Sequence, residues 1–378
     1  MRIINRKFAS GAGYSSGKQV EQNRGIVNRG KGGANIVKKP FLQIGDKKVN
    51  RFAFDLDGTL IDKRFNLNEG VADFFYCVFK NVENPQFIVC TGSPVYRVRA
   101  FKALLEQTIQ EKYGEKIDFN LLMGAYGGSV VYDIDGKIVK KEFVDFDTFK
   151  QIEKVVHDID KDAAVLINNR KIYYKELDQK LNKNVVVLNG VKLIHKARGK
   201  GGFISRAVNE DEYYQMVKDK HAYSLEILSL SHECREKIVE AIKEKVSNVN
   251  VFYGSTVQVC THSKLDAINL LFNDANNLLY AGDGYNDIEC MGVSTISFAL
   301  GKSVDVLTSA NYAVKNFNDV CDIVFNGVDF ENRSKQNILD AVNEQKKKQE
   351  KKELKIEKIE KRQMKKACHE NALDNRQK

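Results

Sequence analysis

Two short acidic clusters carry most of the chemistry that can be read from this chain. The first is Asp55-Leu56-Asp57-Gly58-Thr59-Leu60, directly after Arg51-Phe52-Ala53-Phe54. That apolar run reads as a buried strand followed by a Gly-containing turn. Side chains two residues apart leave a strand on the same side, so Asp55 and Asp57 point roughly together. Two like charges held this close need a cation or a shared proton. The second cluster, Gly282-Asp283-Gly284-Tyr285-Asn286-Asp287, follows another apolar run, Asn277–Ala281. It adds two carboxylates and an amide. Alone, either cluster could be a polar turn without chemistry. Paired carboxylates at two separate strand ends are harder to dismiss. Hard oxygen donors with little His or Cys nearby point to Mg²⁺.

Two further elements fit phosphate. Thr91-Gly92-Ser93-Pro94 ends the apolar run Phe87–Cys90 and offers a hydroxyl and backbone N–H groups to phosphate oxygens. Lys264 stands at the start of a predicted helix, Leu265–Leu271, where a fixed ammonium could neutralise a phosphate or a carboxylate. Taken singly, Thr-Gly turns and helix-edge lysines are more often structural or solvated.

The elements that must position these groups alternate. Strands at 51–54 and 87–90 are each followed by a helical stretch, Asn68–Lys80 and Val95–Tyr113, and the pattern returns at 265–271, 277–281 and 295–300. Alternation of this kind implies a parallel sheet with helices on its faces, and open α/β sheets place sites beyond strand carboxyl ends. The middle differs. SVVYDIDGKI, residues 129–138, reads as a hairpin around Asp135-Gly136. Helical stretches near 146–159, 209–219 and 232–246 alternate with β-rich pieces at 183–194, 222–230 and 249–253, as in a separate α+β unit.

The net charge of +10 is unevenly placed. Residues 1–48 hold 11 Lys/Arg against 2 Asp/Glu, and residues 334–378 hold 14 against 8, which leaves 35 against 40 in the body. The body is therefore no nucleic-acid binder on charge alone. The Gly-, Ser- and Asn-rich residues 1–48 read as a basic, flexible arm that could touch RNA or acidic membrane, but hold few aromatics, Phe8, Tyr14 and Phe41. Residues 334–378 read as an exposed, charged helix. Seven cysteines, an odd number without a CxxC pair, fit reduced thiols better than disulfides or zinc. His195, His221, His232 and His262 show no ligand spacing. No apolar stretch is long enough for a membrane span, and Met1–Ala9 has no secretory h-region, so a cytoplasmic location is expected.

In this order, DxDGT, an apolar strand ending in Thr, Lys, then GDxxND, the motifs resemble the haloacid dehalogenase (HAD) superfamily over roughly residues 49–330. Within it the chain is similar to the Cof-type group, the class IIB phosphatases. The segments GAYGGSVVYDIDGKI and NYAVKNFNDVCDIVFNGV resemble that group's approach to the cap and its C-terminal stretch. The resemblance implies a doubly wound, Rossmann-like parallel-sheet core at 49–125 and 256–333, with an inserted α+β cap domain at 126–255. It implies Asp55 as nucleophile and Asp57 as general acid/base. Thr91, Gly92, Lys264 and Asn286 would hold phosphate. Mg²⁺ would be held by Asp283 with Asp55 and the carbonyl of Asp57, and Asn286 and Asp287 would complete the surroundings of metal and lysine. Departures from the group's pattern are Ser93 in place of an Arg, Leu265 in place of a Gly, and Tyr126-Gly127-Gly128 in place of Asn-Gly-Ala. None removes a catalytic group.

The activity implied is hydrolysis of small phosphate esters, sugar phosphates among them, through a phospho-aspartate. A phosphomutase or phosphotransferase is the alternative within enzymes. A binding protein acting through basic tails is the alternative outside them. Arg170, Lys196, Arg198, Lys200 and Arg206 are cap candidates to meet substrate, although the basic loop at 195–202 reads better as a solvated surface.

Overall fold

The computed structural model describes residues 38–169, 172–175, 205–229, 231–254, 256–273 and 275–348, with the backbone alone at 172–175 and 205–207. The N-terminal residues 1–37, the expected strand at 183–194, Arg170, the 195–202 loop with its Lys196, Arg198 and Lys200, and residues 349–378 lie outside this description. So does the side chain of Arg206.

The described residues open with a small antiparallel hairpin, β1 (Leu42–Ile44) and β2 (Lys47–Val49). Residues 38–48 are therefore part of the folded body and not of a flexible arm. Ile44 and Val49 explain the difference: both are buried in the main core. Two apolar side chains suffice to dock a hairpin that composition alone assigned to solvent.

An eight-stranded sheet then forms from β3 (Arg51–Phe54), β4 (Gln86–Cys90), β5 (Leu121–Ala125), β6 (Val130–Tyr132), β7 (Ile138–Lys141), β14 (Leu278–Gly282), β15 (Ile296–Ala299) and β16 (Tyr312–Ala313), in the order β16-β15-β14-β3-β4-β5-β6-β7. Pairing is parallel from β16 to β5 and antiparallel at β6 and β7. Each parallel strand is buried on both faces, which explains its continuous apolar character. In β3, Phe52 and Phe54 enter one cluster with Phe74, Phe75, Phe87, Phe101 and Phe119, while Ala53 enters the other with Ile88, Cys90 and Tyr280. Stacked and edge-on ring pairs, such as Phe75–Phe87 at 5.0 Å and Phe52–Phe74 at 6.2 Å, fill the first cluster. Removing one such ring would cost about 3–5 kcal/mol.

Helices α1 (Val71–Asn81) and α2 (Val95–Tyr113) pack on the phenylalanine side. α1 starts three residues later than its amphipathic pattern suggests, after Gly70 in a left-handed conformation.

A second sheet of six strands has the order β10-β9-β8-β11-β13-β12, built from β8 (Ala164–Asn168), β9 (Ile172–Lys175), β10 (Ser205–Val208), β11 (Ser224–Leu228), β12 (Asn250–Tyr253) and β13 (Val257–Cys260). Helices α3 (Phe146–Ile159), α4 (Glu210–Lys218) and α5 (His232–Lys245) supply its own core with Phe149, Ile152, Tyr213, Ile238 and Ile242. This is the α+β unit expected from the middle of the chain, but strand membership differs from the expected range of 126–255. The 130–141 hairpin extends the first sheet. β13, which reaches Cys260, belongs to the second. Hairpin chemistry at Asp135-Gly136 was readable; the sheet edge it joins is set by non-local pairing.

The chain returns through α6 (Lys264–Phe272), α7 (Ile288–Val293), α8 (Val304–Ser309) and α9 (Phe317–Asn326). A last helical stretch runs over 331–348. Its first turns are docked and not exposed: Ser334 Oγ accepts the Ala313 N–H at 2.8 Å, and Asn337 Nδ2 donates to the Ala313 carbonyl at 2.8 Å. These two bonds satisfy the short edge strand β16. Among the described residues no helix is long and apolar enough to cross a membrane, and all six cysteines are unpaired.

Candidate active site

The site lies where the order of the large sheet reverses, beyond the carboxyl ends of neighbouring strands β3 and β14, with β4 on the other side of β3. The chain leaves β3 and β4 in one direction and returns to β14 from far along the sequence, so a crevice opens between the departing loops. Asp55 is the first residue past β3, and its N–H still donates to the Ala281 carbonyl at 2.9 Å. Asp283 is the first residue past β14. Carboxylate oxygens of Asp55, Asp283 and Asp287 all lie within 4.8 Å of one another.

Lys264 sits beneath this trio and is almost fully buried. Its ammonium donates to Asp55 Oδ1 at 2.6 Å and to Asp287 Oδ1 at 2.6 Å. The lysine is fixed by the start of α6, where Ser263 and Asp266 form a reciprocal capping box. Burial opposes the charge on Lys264, but the carboxylates of Asp287 and Asp55 outweigh it and hold the ammonium above its ordinary range. Burial drives the Asp55 carboxyl upward, against Lys264 and with the added repulsion of Asp287 and Asp283. Burial, followed by repulsion from Asp287, pushes Asp283 up to about 6.

Asp287 has a different role from the other two. Its Oδ1 also accepts the Tyr280 hydroxyl at 2.6 Å, and its Oδ2 accepts the N–H groups of Asp283 at 3.1 Å and Gly284 at 2.8 Å. With Lys264 that makes four hydrogen bonds on two oxygens, so the carboxylate is committed to shaping the loop and holding the lysine. Asp283 has more freedom: a single protein hydroxyl, Thr59 Oγ1, donates to it at 3.3 Å. A divalent cation fits beside Asp55 and Asp283, whose proton affinity is raised first by burial and then by neighbouring carboxylates. The all-oxygen donor set suits a hard ion. Gly58 leaves the room: a Cβ there would stand 2.1 Å from Asp283 Oδ2, and its φ of +96° disfavours any other residue.

The Asp57 side chain is turned away from the trio. Ser93 Oγ donates to its Oδ2 at 2.6 Å, and the Arg97 guanidinium pairs with its Oδ1. The carboxylates of Asp55, Asp283 and Asp287 are brought together; the Asp57 side chain stands outside that trio, as its expected contact with a metal is through the backbone carbonyl. Thr91 is buried; its hydroxyl accepts the Ser93 N–H at 3.0 Å, which leaves its own proton to donate.

One cavity of about 260 Å³ joins these groups to the second sheet. Asp55, Asp57, Thr91, Gly92, Asp283 and Asn286 line one end, and Asn168, Glu226, Phe252 and Gln258 line the other. Lys264 and Asp287 lie behind the wall. Gln258 Nε2 donates to the Gly92 carbonyl at 3.1 Å, and a Cβ at Gly92 would meet Gln258 Oε1 at 2.6 Å. Gly92 thus makes room for the second sheet.

Sequence reasoning missed Arg97, Ser93, Glu226, Asn168, Gln258 and Tyr280. Arg97 had a faint signal, one helical turn after Ser93 on a helix that begins at the site. Glu226 had another, the one charged residue of the strand Ser-Leu-Glu-Ile-Leu. His221, His232 and His262 stand apart from the acidic trio; His262 Nε2 lies 2.7 Å from Lys140 Nζ.

A model of haloacid dehalogenase-like hydrolases matches residues 52–328. The chain belongs to the haloacid dehalogenase-like hydrolases. The matched span holds both acidic loops, Lys264 and the whole second sheet. Solved structures of the same fold include a HAD/COF-like hydrolase from Plasmodium vivax, at 18% identity and a TM-score of 0.56, covering 75% of this chain and 98% of that one. A haloacid dehalogenase-like hydrolase from Bacteroides thetaiotaomicron matches at 13% identity and 0.53, covering 74% and 100%. A HAD subclass IIB sugar phosphatase matches at 15% and 0.51, covering 72% and 95%. At these identities the likeness is one of fold. No curated protein matches the sequence.

Proposed function

We propose that this haloacid dehalogenase-like hydrolase is a Mg²⁺-dependent phosphatase of small phosphomonoesters, with Asp55 as nucleophile. The observation that carries the reading is that Asp55 and Asp283 line one end of the cavity with carboxylate oxygens within 4.8 Å of each other, over the buried ammonium of Lys264. Two anions, a carboxylate and a phosphate, must meet here, so fixed positive charge has to offset their repulsion. A Mg²⁺ ion held by Asp55 and Asp283 would supply that charge and orient the phosphate.

Asp55 attacks phosphorus, forming an acyl-phosphate bond as the bond to the substrate oxygen breaks. Asp57, two residues on, delivers a proton to the departing alkoxide and then takes one from the water that attacks the phospho-aspartate. Inorganic phosphate and free Asp55 result. In the conformation described, Asp57 is held by Ser93 and Arg97, so its carboxyl turns toward the cavity to serve the leaving group. The Thr91 hydroxyl, the Gly92 N–H and Asn286, all from residues that line the cavity, would bind phosphoryl oxygens. Lys264 keeps Asp55 oriented from behind.

Asp55→Asn should abolish phosphate release from p-nitrophenyl phosphate in Mg²⁺, and chelator should abolish it in the unaltered protein. Full turnover by Asp55→Asn would exclude Asp55 as nucleophile.

A further inference from the structure

The second sheet presents two chemically different faces. In β11, Leu225 and Ile227 enter the core of that unit, while Ser224 and Glu226 face the other way. Register carries the division across the sheet: Glu226 lies opposite Gln258 of β13, Ser224 opposite Asn168 of β8, and Gln258 opposite Phe252 of β12. Asn168, Glu226, Gln258 and Phe252 all line the cavity whose far end holds Asp55 and Asp283. The polar face is thus aimed at whatever is attached to the phosphate.

Two acceptors on this face lack donors. Asn168 is 5% exposed, and its Oδ1 has no hydrogen-bond partner among the described residues, while its Nδ2 donates to Ser224 Oγ at 3.3 Å. A buried amide oxygen in this state is costly unless a ligand supplies a donor. Glu226 receives one bond, from Thr256 Oγ1 to Oε1 at 2.9 Å, and its second oxygen remains open to the cavity. Burial raises the proton affinity of Glu226, with the Thr256 bond opposing, as expected of a carboxyl short of compensating contacts. Phe252 and the ring pair Tyr253–Tyr285, with centroids 6.5 Å apart, add apolar wall.

On the phosphatase reading above, we propose that Glu226, with Asn168, selects phosphomonoesters whose leaving group is uncharged and rich in hydroxyl groups, and rejects those carrying a second phosphate or a carboxylate. Hydroxyl donors satisfy both acceptors; a second anion meets the Glu226 carboxyl in a confined, partly desolvated space. Glu226 is a specificity-determining residue and takes no part in the chemical step.

The test compares kcat/KM for hexose and pentose monophosphates with that for the matching bisphosphates and aldonic acid phosphates, in the unaltered protein and in Glu226→Gln. Acetyl phosphate, whose leaving group has no hydroxyls to read, is the control. The unaltered protein should prefer the uncharged esters by roughly tenfold or more, and Glu226→Gln should narrow the ratio to within about threefold, mainly by raising turnover of the anionic esters. Retained turnover of acetyl phosphate reports that the variant folds. Glu226→Met, uncharged and of similar length, should move the ratio the same way. A ratio that stays put in both variants, or an unaltered protein indifferent to the second charge, overturns the proposal while the phosphatase reading stands. No turnover of any of these phosphates by the unaltered protein overturns both.

Discussion

The guanidinium of Arg97 lies against the carboxylate of Asp57, and the same carboxylate accepts the Ser93 hydroxyl. Arg97 is itself nearly buried, with its cation 5.0 Å from the centre of the Phe65 ring. A rigid, forked donor on a packed helix therefore sets where Asp57 rests. Replacing Arg97 with Leu should lower kcat for alkyl phosphates about 10- to 100-fold, the range of general acid catalysis. p-Nitrophenyl phosphate, whose leaving group needs little protonation, should lose much less. Equal losses on both substrates would mean that Arg97 supports the fold and not the acid.

Lys264 is the one ammonium between Asp55 and Asp287, and all three side chains are buried. Lys264→Met keeps the length of the side chain and removes the charge. Two carboxylates would then face each other without compensation, a change worth about 3–5 kcal/mol of stability. Urea denaturation should register that loss, and added Mg²⁺ should recover part of it by supplying positive charge beside Asp55.

The Asp283 carboxyl has an ordinary value of 3.8 and stands at about 6 in the fold, driven first by burial. Between those values the native state holds more protons than the unfolded chain, so this group makes stability fall as pH rises through the window. The size is on the order of 2–3 kcal/mol. In chelator, thermal midpoints should drop from pH 4.5 to pH 7 by more in the unaltered protein than in Asp283→Asn. Mg²⁺ competes with the same proton, so its stabilisation should be weak near pH 5 and grow above pH 6. A metal-induced shift of equal size at pH 5 and pH 7.5 would contradict this.

Gly58 leaves Asp283 its position, since a Cβ there would come 2.1 Å from the carboxylate oxygen. Gly58→Ala should leave global stability within about 2 kcal/mol, the cost of one strained residue. It should weaken Mg²⁺ binding and cut turnover by roughly 100-fold, because displacement of a reacting group by about 1 Å is enough to do so. Calorimetric Mg²⁺ titration of the variant gives the direct readout.

Much of this architecture was legible because its signals are local. The runs at 51–54 and 95–113 give β3 and α2 with the same limits. Asp55, Asp283 and Asp287 were marked by type and by position after apolar strands, and they lie together. What escaped the sequence depends on pairing between distant segments. Whether the 130–141 hairpin extends the first or the second sheet is decided by which strand edge is free. Nothing near Asp57 in the sequence shows that a guanidinium forty residues away holds its carboxylate. Asn168 and Glu226 became candidates only when register put them on one face of a sheet opposite the acidic loops. Single polar residues inside apolar strands give no hint of what they face.

Asp287 spends its four hydrogen bonds on the loop, the lysine and the Tyr280 hydroxyl, so the site and the interior of the protein share one charge balance. A lineage that lost the activity could not shed these residues one at a time, because each single neutral replacement strands an opposite charge in the core. Descendants without the chemistry should therefore have exchanged the acid and the base together, or kept both unused. The ammonium and its acidic partners would then be poor markers of activity on their own, and Asp283, which little else depends on, the better one.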